Sequence, residues 1–181
     1  MGNMNLFLNA SAILIVLFVL LMMVTAIVNL LMRVPYVPSK MRVVQKMIEV
    51  AKIRKKDVVY DLGCGDARLL IEAEKKSPKA TKGYEMAPIP YLLGYLKKWR
   101  THSKVKLSMS NFFNTSLKDA DVIFCYLGTE TMTKLGKKIA KECRKGTRIV
   151  SNTFHIEGMK PAKVWKQNRK LKLPSIYLYE I

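Results

Sequence analysis

The sequence predicts an α/β protein: one N-terminal transmembrane helix, then a compact domain on an open, mostly parallel sheet. Three observations carry that prediction. Residues 1–32 contain no Lys, Arg, Asp, Glu or His, so all 32 basic and 13 acidic residues of the 181-residue chain, net charge +19, follow them. Behind this uncharged head, short apolar runs alternate with stretches of helical period, the pattern of strands joined by crossover helices. A glycine turn, Gly63-Cys64-Gly65, joins the first of those runs to the helix after it. Hydrophobic residues make up 50% of the chain, which excludes disorder as its main state and leaves enough for one core after the head.

The head comes first. From Asn9 the chain reads NASAILIVLFVLLMMVTAIVNLLM to Met32. At about 1.5 Å per residue, 10–32 make a helix long enough for a hydrocarbon core of about 30 Å. A cleaved secretory signal would want a charged start and an apolar stretch of roughly 7–15 residues. Here the start, MGNMN, is uncharged and the run is too long, so an uncleaved single span is expected. Arg33, Lys40, Arg42, Lys46, Lys52, Arg54, Lys55 and Lys56 follow the span and nothing basic precedes it. The positive-inside tendency then puts the N-terminus outside and the body in the cytoplasm, against an anionic inner leaflet. Cys64, Cys125 and Cys143 show no paired spacing and fit free thiols in a reducing compartment. With only His102 and His155 and no CxxC pair, no metal site is expected.

The remaining elements follow in order. In VPYVPS (34–39), Pro35 and Pro38 stop the helix from continuing. Residues 40–53 place Met41, Val44, Met47, Ile48 and Ala51 on one face of an amphipathic helix. Strands are expected at 58–62, 81–86, 105–110, 121–127 and 147–154, and helices at 69–76, 88–100 and 129–145. Segments 162–168 and 175–181 suggest a closing hairpin. This divides the chain into an anchor (1–33), a linker with its amphipathic helix (34–53) and a domain (54–181).

The glycine loop carries the first functional signal. Asp61-Leu62-Gly63-Cys64-Gly65-Asp66-Ala67-Arg68 lies between a predicted strand and a predicted helix, the setting in which a glycine pattern has meaning. Glycine lets the chain turn sharply and approach a ligand closely, and the helix start offers unpaired N–H groups. In open α/β sheets ligands bind beyond the C-terminal strand ends, where strand order reverses. Glu85 closes the second strand, where an acid can take both hydroxyls of a ribose. The bland alternative is a glycine turn among ordinary surface acids. A dinucleotide loop spaces its glycines G-x-G-x-x-G, whereas this one reads D-x-G-x-G-x-A.

That order resembles motif I of the class I, seven-strand S-adenosylmethionine-dependent methyltransferases, usually (D/E)-x-G-x-G-x-G. Ala67 departs from it at the third glycine and, lacking glycine's freedom, is not expected to accept a positive φ. The resemblance extends along essentially the whole chain. VPYVPS before DVVYDLGCGDARLL, the stretch from NFFNTSLKDAD to SNTF, and the ending VWKQN…IYLYEI are similar to a narrower group. These are the small membrane-anchored lysine methyltransferases of the mitochondrial ATP synthase c-subunit and the ADP/ATP translocase, with their prokaryotic relatives.

The resemblance implies a Rossmann-like seven-strand domain with S-adenosyl-L-methionine as cofactor. It implies that Asp61, Gly63 and Gly65, with Cys64 and Asp66 in the same loop, hold the methionine end. Glu85 would hold the ribose and Met86 would lie against the adenine. Asn111 would face the adenine amine beside Phe112, though a simple turn residue is the equal alternative. On the acceptor side stand Tyr126, which also reads as a core or rim aromatic, and Asn152 and Phe154 of the S-N-T-F strand. Tyr36 either caps the cofactor or anchors at the interface. His155 reads as a solvated loop histidine, with a base after the fifth strand as the alternative.

Methyl transfer from a sulfonium needs alignment and exclusion of water more than a strong base, which suits a sequence without a triad or paired carboxylates. The (D/N)-P-P-(Y/F) signature of base-amine methylation is absent, since the fourth strand runs into CYLGTE. The resemblance, together with the anchor, implies a lysine of a membrane-associated protein as substrate, with no specific nucleic acid partner. A membrane lipid or quinone, RNA, or a degenerate cofactor-binding scaffold remain the alternatives.

Overall fold

The computed structural model describes residues 2–32 and 36–181. Arg33, Val34 and Pro35, which carry the first flanking charge and the first helix break of the sequence reading, lie outside the described residues. Helix α1 (Gly2–Met32) contains the stretch Asn9–Val28 with mean hydropathy 3.0, long and apolar enough to cross a membrane. Its described side chains point outward almost throughout; Thr25 is buried. A helix apolar on every side has no single face to pack; among its described residues, Thr25 and Val28 in its last turns meet the domain.

Helix α2 (Met41–Ala51) buries Val44, Met47, Ile48 and Ala51, the face expected from period, while Met41 is exposed at its start. The sheet then builds in βα units. β1 (Val58–Leu62) leads to α3 (Arg68–Glu74), β2 (Ala80–Glu85) to α4 (Pro88–Arg100), and β3 (Lys106–Met109) to a 3-10 turn at Phe112–Asn114. β4 (Val122–Cys125) leads to α5 (Thr129–Glu142), followed by β5 (Arg148–Asn152), β6 (Lys163–Trp165) and β7 (Ile176–Glu180). The seven strands lie in the order β3-β2-β1-β4-β5-β7-β6. β1 to β5 are parallel and β7 runs antiparallel to both β5 and β6, so the closing hairpin is present as expected.

The wholly buried strands β1, β4 and β5 sit at the centre, which explains the apolar stretches 58–60, 122–125 and 149–150 within them. Val59, Val122, Phe124 and Val150 pack under α2 and α3 on one face. Tyr60, Ile123 and Ile149 pack under α5 on the other. Arg148 fastens α2 to the sheet: its buried guanidinium pairs with Asp57 and donates to the carbonyls of Ala51 and Lys52 where α2 ends. β4 and β5 are shorter than expected for reasons that matter to the site. Tyr126 and Leu127 leave the ladder after Cys125 to line a cleft, and Thr153, at φ 66°, turns the chain out of β5.

Candidate functional site

The strand order reverses between β1 and β4, whose ends Leu62 and Cys125 are partners in register. Beyond them opens a cleft with about 960 Å³ of space, the open solvent at its mouth included. The sequence-expected residues Tyr36, Asp61, Gly63, Cys64, Gly65, Asp66, Glu85, Met86, Phe112 and Tyr126 all line it. The chain therefore brings together residues scattered from the linker to the fourth strand.

The glycine loop is bent by Gly63 at φ 79° and Gly65 at φ 54°. A Cβ on Gly65 would lie 2.7 Å from the Tyr36 ring, so this glycine is what lets Tyr36 close over the loop. Tyr36 is half-buried, and burial first, then the Asp66 charge, raises its hydroxyl pKa. Ala67 corrects the expectation placed on it: it adopts the left-handed conformation, φ 60° and ψ 10°, that glycine would take. The residues on either side fix it there. Arg68 grips the Asp66 carboxylate twice, Nε to Oδ1 at 2.8 Å and Nη2 to Oδ2 at 2.7 Å, and Lys97 of α4 closes on Oδ2. The buried Ala67 methyl also faces the close approach of Gly94 on α4.

Three acids meet at this loop and differ in state. For Asp66 burial acts upward, but the hydrogen bonds and charges of Arg68 and Lys97 prevail and hold it down at about 2. Glu85 accepts from Gly65 N through Oε2 at 2.9 Å and from Ala87 N through Oε1 at 2.8 Å, leaving lone pairs on both oxygens. Asp61 is buried, and no described residue donates a hydrogen bond to its carboxylate. Burial first, then the charges of Glu85 and Asp66, push it up to about 8. Burial, with Asp61 and Glu85 adding to it, also raises the Cys64 thiol, so that group lines the cleft uncharged.

On the far side, Tyr126 and Phe154 stack with centroids 6.1 Å apart and planes at 25°. Phe154 is held by the turn at Thr153, where Ser151 Oγ donates to the Phe154 carbonyl at 2.5 Å and Phe154 N to the Asn152 carbonyl at 2.7 Å. Asn152 is buried, does not line the cleft, and donates from Nδ2 to Ser39 Oγ, which does. Asn111 also lies outside the lining; its Oδ1 accepts from Phe113 N at 2.9 Å, a turn cap. His155 is exposed in its loop. The sequence reading passed over Val28 of α1, Arg68 and Tyr84, which line the cleft as well.

A family model described as the ANTKMT methyltransferase domain matches residues 61–163. A protein-lysine N-methyltransferase of Saccharolobus islandicus is 37% identical over 151 residues, 82% of this chain and 94% of that protein. The adenine nucleotide translocase lysine N-methyltransferase of Mus musculus is 29% identical over 139 residues, 76% of this chain but 60% of its own length. Among solved structures, an RNA methyltransferase from Salinibacter ruber in complex with S-adenosyl-L-homocysteine superposes with a TM-score of 0.73. It is 26% identical and covers 80% of this chain and 94% of its own.

Proposed function

Because the chain belongs to the ANTKMT methyltransferase-domain family and is an S-adenosylmethionine-dependent methyltransferase, we propose that it methylates lysine side chains of a membrane-associated protein. In this reading residues 1–33 are the anchor, 34–53 the linker and its helix, and 54–181 the catalytic domain on the cytoplasmic side. The observation that carries it is the composition of the cleft. Val28, at the end of the apolar stretch of α1, lines the same cleft as the glycine loop. An acceptor entering there meets the enzyme where the membrane helix enters the domain. The lysine is supported by the names of the two relatives above.

The residues fit the cofactor. A buried carboxylate with no described donor, Asp61, flanked by Glu85, makes an electronegative wall suited to a cationic ligand. When bound, S-adenosylmethionine supplies a methyl group already activated on a sulfonium. Asp61, Gly63 and Gly65 would hold its amino-acid end, Glu85 the ribose, and Met86 with Phe112 the base. Tyr36 lies over the loop, where it would help exclude water once the cofactor is bound. Tyr126 lines the cleft and stacks on Phe154, which lies outside the lining; the pair would form the aromatic wall along which a lysine lies. Desolvation beside them favours the neutral amine, the nucleophilic form, so no dedicated base is needed.

The test incubates the full chain with native membranes and methyl-radiolabelled cofactor, then separates protein, lipid extract and RNA. Label confined to protein is the expected result. Label in lipid or RNA with none in protein would overturn the lysine reading; the RNA outcome is kept because of the net charge of +19 and the Salinibacter protein's name.

A further inference from the structure

Helix α4 is inverted relative to a helix on a soluble domain. Its small and polar residues face the protein: Pro90 and Gly94 are buried, and Lys97 pairs with Asp66. Leu92, Tyr95, Leu96 and Trp99, spaced i, i+3, i+4, i+7, make a single stripe on the opposite side. They are exposed, from 46% for Leu92 to 72% for Trp99. At about 100° per residue, Lys98 and Arg100 fall on the two margins of that stripe, and the helix contains no acid. Leucines and aromatics flanked by basic side chains are the pattern of a helix lying in a membrane–water interface.

The surface is continuous with the membrane helix. α1 packs on α4, and the Thr25 hydroxyl accepts a hydrogen bond from Ile89 N at 3.3 Å, satisfying an amide in the first turn of α4. Thr25 lies in the last turns of the apolar stretch Asn9–Val28, so the outward leucines begin where that stretch ends.

We propose that α4 is a second membrane-contact element, seated in the headgroup boundary of the leaflet from which α1 emerges, with anionic lipid as its partner; this rests on reading α1 as a membrane span. The inner face of α4 touches the glycine loop: a Cβ on Gly94 would lie 3.2 Å from the Gly65 carbonyl oxygen and from the Asp66 carbonyl carbon. One helix, about 10–12 Å across, therefore separates that loop from the leaflet. The lysines within reach are those at the membrane surface, and lysines on parts of a protein far from the bilayer are excluded.

Trp99 and Trp165 are the two tryptophans, and they lie at opposite ends of the molecule: α4 packs on β2 and β3, whereas Trp165 is on β6 at the other edge of the sheet. The full chain carrying Trp165→Phe, and separately Trp99→Phe, is reconstituted in phosphatidylcholine–phosphatidylglycerol vesicles with and without brominated acyl chains. Carbonate-resistant flotation reads the anchor independently. The expected result is flotation of both variants, loss of most Trp99 emission in bromolipid with protection from aqueous acrylamide, and no loss from Trp165. Flotation with Trp99 open to acrylamide and unaffected by bromolipid overturns the α4 inference and leaves the anchor standing, and equal quenching of both tryptophans also overturns it. Failure to float overturns the anchor and this inference with it.

Discussion

Replacing Asp61 by Asn tests whether the cleft is built around an uncompensated buried carboxylate. Its carboxyl stands at about 8 against an ordinary 3.8, chiefly through burial and then through Glu85 and Asp66. A folded-state value above the unfolded one means that the native chain keeps a proton the unfolded chain gives up. Stability from this group is therefore intact below about pH 4 and is lost as pH rises toward about 8. At about 1.36 kcal/mol per pH unit the loss across that window is roughly 5 kcal/mol. Asn has nearly the same shape and no charge, so it removes the slope. Without cofactor, Asp61→Asn should melt well above the parent near pH 8 and level with it near pH 4. With cofactor the order reverses: a cation favours ionised Asp61, so the parent's affinity should gain up to about tenfold per pH unit relative to the variant as pH approaches 8. Thermal melts and titration calorimetry across that range, in two buffers of different ionisation enthalpy, read both effects and the proton released on binding. Parallel pH profiles for parent and variant, in stability and in affinity, would refute the reasoning.

The other expectations concern the loop and its support. Gly65→Ala combines a strained φ of 54° with a Cβ 2.7 Å from the Tyr36 ring; cofactor binding should weaken about tenfold, seen by calorimetry, and unchanged affinity would remove Tyr36 from the cover. Ala67→Gly relieves a left-handed alanine worth about 1 kcal/mol, and the melting temperature should rise by about 2–4 °C; a fall would mean that the Ala67 methyl matters more than the backbone. Arg148→Met leaves Asp57 buried without its partner and frees two carbonyls at the end of α2. Urea unfolding should show a loss of about 3–5 kcal/mol, whereas a loss near zero would mean that Met packing replaces the pair.

Much of the fold was legible because the signals are local. The runs VVYDL and DVIFCYL, each followed by a helical stretch, fixed the βα units to within a few residues. The loop could be read because its glycines must sit where a strand meets a helix. What could not be read depends on contacts distant in sequence. Arg68 and Lys97 both hold Asp66, yet Lys97 is 31 residues further on and meets the loop only because Gly94 lets α4 lie close. The same distance explains Ala67: its strain is set by neighbours held from outside the loop. The helix 88–100 was legible, but its spacing cannot tell which side faces the core, and here the small side does, leaving Leu92, Leu96 and Trp99 outward. Asn111 shows the limit of analogy, since its turn chemistry was evident and its Oδ1 is used for that.

The central claim is that this methyltransferase modifies lysines of membrane-associated proteins, and one measurement addresses it directly. Native membranes are incubated with the full chain and cofactor carrying a deuterated methyl group, with the Asp61→Asn variant as control, and the proteins are digested for mass spectrometry. Deuterated methyl-lysine is expected in peptides of integral membrane proteins, reduced with the variant. Deuterium in lipid, RNA or soluble-protein peptides, with no methyl-lysine in membrane proteins, would contradict it.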